Sequence, residues 1–389
     1  MHILLVEPDY YTRFPPLGLL KLASYHKSLG DTVELVRGER KPEKRPSKIY
    51  VTSLFTYAWR PVHRAVRYYR KLFPDTKILL GGIYASLLPE HATMSGAEVY
   101  TGLHKEAEKF RADYSLVPGW DGSILFTSRG CIRNCGFCSV PKLEGRPNSL
   151  EYSIKHLIYP GHTKIILWDN NILASRNWKA ILDELNEIGL KVDFNQGLDA
   201  RLITDEVAGK LARLKMDVIR VAYDQRATGK SLERAIERLH AAGVRKRKIL
   251  AYTLFNYTDD PQDFFERVRD QLNWGFVSYP MRFEPLCSLE KNKYVAPKWD
   301  RERLNMVARA RRVIGYVGAF PPYEGLVKKF DQAENFDEAF SLRPYKRKDQ
   351  GVSVSVPIHK AAQIPSAYLR TTRKKPRWGG GLDWRRNIR

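Results

Sequence analysis

Ser128-Arg129-Gly130-Cys131-Ile132-Arg133-Asn134-Cys135-Gly136-Phe137-Cys138-Ser139 carries three of the chain's four cysteines within eight positions. The spacing is C-x3-C-x2-C, and it follows directly on an apolar run, Ser123–Thr127, that reads as a strand. Three thiolates so placed can hold three irons of a 4Fe–4S cluster and leave the fourth iron open to a chelating ligand. Gly130 and Gly136 permit tight backbone around such a group. A structural zinc site is the competing reading. Such sites usually close with four Cys or His ligands as two separated pairs, and here only Cys287 remains as a distant fourth.

Working outward, strand and helix patterns alternate on both sides of this loop. Before it, strands are predicted at His2–Val6, Thr32–Val36, Ile49–Leu54, Lys77–Leu80 and Glu98–Thr101. Helices are predicted near Leu17–Leu29, Arg60–Phe73 and Leu87–Met94. That alternation implies a Rossmann-like parallel sheet over 1–112. After it, strands at Ser123–Thr127, Lys164–Trp168, Lys191–Asn195, Val218–Tyr223, Lys248–Phe255 and Phe276–Phe283 alternate with helices at Leu150–Leu157, Arg176–Ile188, Thr204–Leu214, Lys230–Ala242 and Pro261–Leu272. Six strands without a seventh and eighth predict a partial (β/α)6 barrel over 113–286, with reactive groups at the C-terminal strand ends. Residues 287–389 read as a helical and basic extension, with a helix over Arg301–Ile314. The fold class is therefore α/β throughout.

The chain has 389 residues, 43% of them hydrophobic, which suits folded domains with their own cores. No apolar run reaches the roughly 18 residues that a membrane crossing needs, and Met1–Val6 is too short for a signal peptide. A cytoplasmic location is expected, in keeping with clustered rather than dispersed cysteines. Net charge is +23, of which residues 341–389 supply +11, from 13 Lys/Arg against 2 Asp/Glu. Such a surplus favours polyanionic partners, nucleic acid first among them, and it also serves solubility or attraction to a membrane. Arg60, Arg64, Arg67 and Lys71 step along one helix face, with further cations at Arg245–Lys248 and Arg373–Lys375. Trp378 and Trp384 in the tail suit base stacking or docking on the protein itself.

At the cysteine loop the chain resembles the radical S-adenosylmethionine (SAM) superfamily, whose signature is C-x3-C-x-aromatic-C, with Phe137 as the aromatic. The resemblance covers roughly 120–286 and implies a cluster on Cys131, Cys135 and Cys138, with Phe137 beside the SAM adenine. In that family SAM chelates the open iron and is cleaved reductively to a 5′-deoxyadenosyl radical, which abstracts a substrate hydrogen. The family's Gly-Gly-Glu-like stretch falls at Asp169 and Asn170, here without the glycines, and its ribose contact at Asn195 and Gln196. Arg201 is expected at the SAM carboxylate, and Tyr223 and Asn256 are expected to face substrate. An electron donor such as a flavodoxin or ferredoxin is implied.

The first 112 residues resemble the cobalamin-binding domain of cobalamin-dependent radical SAM enzymes, through Pro15-Pro16-Leu17-Gly18, Ser53, Gly81 and Gly82. The D-x-H-x-x-G lower-ligand motif is absent, since Tyr11 stands two residues after Asp9. The resemblance thus allows either bound cobalamin or a fold retained without it. The function expected is radical modification of a nucleic acid or nucleotide-like substrate, methylation included if cobalamin binds. The alternatives are a cobalamin-free enzyme of a small metabolite or peptide, and a nucleic-acid-binding protein with a structural metal.

Overall fold

The computed structural model describes residues 1–150, 153–315 and 323–341. The expected helix over Leu150–Leu157 therefore lies partly, and the basic tail with Trp378 and Trp384 wholly, outside the described residues. Two compact units emerge. One comprises Met1–Arg220 with Phe283–Tyr294, and the other Val221–Arg282 with the described residues from Val295 onward.

The first unit opens with a five-stranded parallel sheet: β1 (His2–Glu7), β2 (Thr32–Arg37), β3 (Lys48–Ser53), β4 (Lys77–Gly82) and β5 (Glu98–Val99). Its order is β2-β1-β3-β4-β5. All pairings are parallel, from Ile3 opposite Val33 to Leu80 opposite Val99. Parallel strands are covered on both faces and so run apolar without alternation. In β1, Ile3, Leu4, Leu5 and Val6 all have no exposure. Leu4 and Val6 join the cluster of Val62, Ala65, Val66 and Tyr69 from α2 (Trp59–Leu72). Ile3 and Leu5 face Leu19 and Ala23 of α1 (Leu17–Ser28). Short helices α3 (Ile83–Leu87), α4 (Pro89–Thr93) and α5 (Lys105–Glu108) complete this part.

A three-stranded sheet follows in the same unit: β6 (Gly122–Leu125), β9 (Lys164–Leu167) and β10 (Lys191–Phe194), in parallel order β10-β9-β6. Between β6 and β9 the chain makes a small antiparallel ladder of β7 (Ser128–Arg129) and β8 (Asn148–Ser149), with α6 (Val140–Leu143) inside it. Helices α7 (Trp178–Ile188) and α8 (Asp205–Arg213) succeed β9 and β10. Leu17 and Leu20 on α1 pack with Ile124 of β6 and Ile166 of β9, so α1 is apolar on two sides. In place of the expected helix over Leu150–Leu157, the described part holds one 3-10 turn, Lys155–Leu157. Its backbone donors go elsewhere: Leu150 N–H to Thr127 O and Ile154 N–H to the Glu184 carboxylate.

The second unit is built on the sheet β11-β12-β13, with β11 (Ile219–Ala222), β12 (Ile249–Phe255) and β13 (Val277–Arg282); β12 and β13 are parallel. Helices α9 (Gly229–Ala241) and α10 (Pro261–Asn273) alternate with these strands. Helices α11 (Arg301–Ile314), α12 (Tyr323–Gln332) and α13 (Phe336–Phe340) follow. The six strands of the second alternation are thus present as two three-stranded sheets. Arg301–Ile314 is helical as its periodicity predicts, capped by the Asp300 carboxylate, which accepts from Arg303 N–H at 2.8 Å. No helix among the described residues is long and apolar enough to cross a membrane.

At the end of β1, Glu7 is buried with Arg37 3.8 Å away. Burial pushes its carboxyl up to about 7, against the pull of Arg37 and with Asp9 adding to the rise. The native state therefore holds a proton here that the unfolded chain has released above its ordinary carboxylate value. The stabilisation is full below about 4.5 and is lost as pH rises through 7, worth roughly 3 kcal/mol at most. Urea unfolding at pH 5 and pH 8 should show the wild type losing more stability on the alkaline side than Glu7→Gln. Equal losses would contradict this account.

Candidate cluster and S-adenosylmethionine site

The loop that carries the three cysteines leaves β7 and ends in α6, at the C-terminal side of β6. Its entrance is tight. Gly130 has φ +76°, and a Cβ there would lie 2.3 Å from the carbonyl oxygen of Arg146. Only glycine passes at that distance and angle. Cys131 N–H donates to Gly145 O at 3.2 Å, and Cys138 N–H to Cys135 O at 3.0 Å, so the loop closes on itself.

The loop is fastened to the strand ends by carboxylates. Asp169, just past β9 and 4% exposed, accepts from Thr127 N–H and Oγ1 and from Ser128 N–H and Oγ, at 2.6–3.1 Å. Burial pushes its pKa up, against the pull of the Thr127 and Ser128 hydrogen bonds. Glu144, just past α6, accepts from Gly130 N–H at 2.9 Å, Asn170 Nδ2 at 2.7 Å and Arg129 Nη1 at 3.0 Å. Arg129 also donates to Glu108, which Lys21 of α1 approaches at 3.4 Å. Arg129, Glu108, Glu144 and Lys21 are thus buried or half-buried ions that are paired, while buried Asp169 is satisfied by hydrogen-bond donors instead.

A second set surrounds the thiols. Cys131, Cys135 and Cys138 are half-buried and free of disulfides. Asn171 Nδ2 lies 3.7 Å from Cys131 Sγ and 3.3 Å from Asp199 Oδ2. Asp199 also accepts from Arg133 Nε at 2.9 Å and Arg201 Nε at 2.7 Å. Burial alone would raise the Asp199 pKa, but the Arg201 and Arg133 contacts hold it below the usual carboxylate value. Burial likewise opposes the charge on Arg201, yet Asp199 and then the Cys135 and Cys131 sulfurs raise its pKa. Arg201 therefore stands within electrostatic reach of the cysteine loop.

The expected residues divide accordingly. Phe137 is half-buried in the loop. Asn170 is bound to Glu144 and Asp169 to the β6 end, both as fasteners. Asn195 follows β10 and is half-buried, while its neighbour Gln196 is exposed. In the second unit, Tyr223 is 1% exposed and donates to Asp270 of α10 at 3.0 Å. Asn256 has no exposure, sits at φ 66° and accepts from Ala296 N–H at 2.8 Å. Sequence reasoning missed Asn171, Arg133, Asp199's bridging role and Glu144. Only the repeated Asn of Asp169-Asn170-Asn171 was a signal for the first.

The donor set fits a 4Fe–4S cluster. Each thiolate of such a cluster binds its own iron, so the sulfurs need a common loop rather than a common point. Among the described residues no three His, Cys, Asp or Glu side chains converge on one ion, and Cys287 is exposed. Asn171 Oδ1 is buried with no hydrogen-bond partner among the described residues, an acceptor left open beside Cys131. The cobalamin residues do not fit in the same way. Ser53 Oγ donates to Gly81 O at 2.7 Å and accepts from Ala85 N–H at 3.2 Å. A Cβ on Gly82, at φ +103°, would lie 2.2 Å from Ser53 O, so that room belongs to the sheet.

Neither a family model nor a curated protein sequence matches the chain. A solved structure does: the radical SAM methyltransferase TsrM from Kitasatospora setae, with tryptophan substrate and a SAM analogue bound. It superposes at a TM-score of 0.58 with 16% identity, over 72% of each chain. The chain has the fold of a radical SAM enzyme. A weaker likeness, to SuiB of Streptococcus suis bound to precursor peptide SuiA, has a TM-score of 0.38 at 11% identity. It covers 59% of this chain and 60% of that one.

Within this radical SAM fold Asp169 is assigned to holding β6 and β9 together. Asp169→Ala strands four donors and should lower stability by about 3 kcal/mol or more in urea unfolding. Asp169→Asn should lose less and keep SAM affinity, read by equilibrium dialysis. An Asn variant of undiminished stability that no longer bound SAM would reverse the assignment.

Proposed function

We propose that the chain is a radical SAM enzyme whose Cys131, Cys135 and Cys138 hold a 4Fe–4S cluster. The observation that carries the reading is the loop itself. Three cysteines without disulfides share one tightly closed turn at the C-terminal end of β6, beside an open buried acceptor on Asn171. When bound, the cluster supplies the electron that splits the sulfur–carbon bond of SAM.

The chain's own residues bind, orient and exclude. Asn171 Oδ1 offers an acceptor to the SAM amino group, and Arg201, whose Nε and Nη2 are held by Asp199, offers its remaining Nη1 and its charge to the SAM carboxylate. Phe137 gives the adenine an apolar face, and Asn195 and Gln196 offer polar groups to the ribose. Asp199 holds Arg133, Arg201 and Asn171 in one geometry, so all three move if it is removed. A flavodoxin or ferredoxin is the proposed donor of the electron.

For the substrate, the surplus of +23 supports a nucleic acid or a nucleotide-like molecule. A second reading, a small metabolite or peptide, draws on a specific feature of the second unit. A cavity of about 240 Å³ opens past β11 and β12, lined by Asp224, Gln225, Thr258, Asp259, Asp260 and Lys298. That volume suits an amino-acid-sized group, and a wall that also carries Arg226 beside its carboxylates and Lys298 suits one bearing both charges. The neighbour with tryptophan bound is consistent with this alternative. Cobalamin-dependent methylation would need contacts that Ser53 and Gly82, committed to the sheet, do not offer.

The test is mass spectrometry of SAM products after anaerobic reconstitution and reduction, with and without cobalamin. The wild type should yield 5′-deoxyadenosine, and Cys131→Ala, Cys135→Ala and Cys138→Ala should each abolish it. Turnover that persists in all three variants would remove the cluster assignment. S-adenosylhomocysteine formed only with cobalamin would restore the methylation reading.

A further inference from the structure

Helix α2 divides its residues sharply. Val62, Ala65, Val66 and Tyr69 are at most 1% exposed and pack on the first sheet, while Arg60, Arg64, Arg67 and Lys71 are all exposed. The cations step by four, three and four, so they form one row on the outer face. At a rise of 1.5 Å per residue the row spans about 16 Å. Over that length a nucleic-acid duplex carries on the order of ten phosphate charges, counting both strands.

A second basic element is pinned beside this row. Tyr69 Oη lies 3.1 Å from Gly38 O and 2.8 Å from Arg40 O, and accepts from Arg40 N–H at 3.2 Å. Arg64 pairs with Glu39. The loop after β2 is thereby held against α2, and it exposes Arg40, Lys41, Lys44 and Arg45. Four exposed acids lie here as well: Glu39 pairs with Arg64, Asp75 with Arg45 at 3.8 Å, Asp9 borders Gly38 and Glu43 sits in the loop, so the cations are still in excess. Arg70 is drawn away, donating to Pro74 O and Thr76 O, so the row is selective rather than a general scatter of charge.

We propose that the outer face of α2, with the loop over 39–45, is a docking surface for a nucleic-acid backbone. The proposal rests on the nucleic-acid reading of the substrate and locates where that substrate is held. The row and the loop offer guanidinium and ammonium groups to phosphates, and recognition is therefore of the backbone rather than of base sequence. A small rigid anionic metabolite would not use a row of this length.

The experiment is binding of the full chain to a 20-base-pair DNA duplex across a range of salt concentrations. The basic tail is present in every protein compared, so only the difference is read. Arg60→Gln/Arg64→Gln/Arg67→Gln/Lys71→Gln should weaken binding about tenfold or more at ~100 mM salt. Its plot of log K against log salt should be shallower by about 3 to 4. Lys41→Gln/Lys44→Gln/Arg45→Gln should act in the same direction, and serves if the helix variant does not fold. Arg245→Gln/Arg247→Gln/Lys248→Gln, in the second unit, should leave the slope within about one of the wild type.

Unchanged binding in both first-unit variants, or an equal loss in the second-unit variant, would overturn the proposal. A loss seen with vesicles containing anionic lipid but not with the duplex would also overturn it, in favour of a membrane surface. The same helix variant should cleave SAM as the wild type does without nucleic acid. Absence of cleavage in both proteins would count against the radical SAM function and leave the binding result standing.

Discussion

Four hydrogen bonds into one buried carboxylate hold the site together. Asp169 stands past the end of β9 and gathers the backbone and hydroxyl donors of Thr127 and Ser128, past the end of β6. A carboxylate so buried would be costly without these donors, and the donors would be stranded without it. Because Ser128 begins β7, the same contact sets where the chain stands three residues before Cys131. Glu144 then repeats the device from the other end of the loop, binding Gly130 and Asn170 together. The cysteine turn is therefore suspended between two carboxylates.

This arrangement also explains how a loop, rather than a strand or helix, can hold three cysteines in a fixed turn. Loops position reactive groups well only when a rigid scaffold fixes their ends. Here the scaffold is the parallel sheet β10-β9-β6, and α1 ties its core to that of the first sheet through Leu17 and Leu20. The ion pairs Lys21–Glu108 and Glu108–Arg129 extend the same coupling from α1 to the cysteine loop. The first sheet thus supports the site mechanically, whether or not it holds a ligand of its own.

Much of this could be read from the sequence, for identifiable reasons. The buried strands appear as short apolar runs because parallel sheets are covered on both faces, and α2 declares itself by cations and apolar residues at helical spacing. The cysteine spacing is local, so the loop that carries it could be recognised without tertiary information. What escaped was the non-local pairing. Asp169 reads equally well as a ligand contact or as a fastener, and only the positions of Thr127 and Ser128 decide between them. Glu144 lies fourteen residues after Gly130 in an unremarkable stretch, and nothing local marks it as its partner. The failed helix over Leu150–Leu157 has the same origin, because Leu150 and Ile154 give their N–H groups to Thr127 and Glu184.

The central claim is that the three-cysteine turn is built around a cluster with one iron open to SAM. Electron paramagnetic resonance of the anaerobically reconstituted, reduced protein tests it most directly, with SAM added as the perturbation. The account predicts the signal of a reduced 4Fe–4S cluster whose shape changes when SAM binds, and its loss on replacement of any one of the three cysteines. A protein that takes up zinc and no iron, or a cluster signal indifferent to SAM, would contradict it.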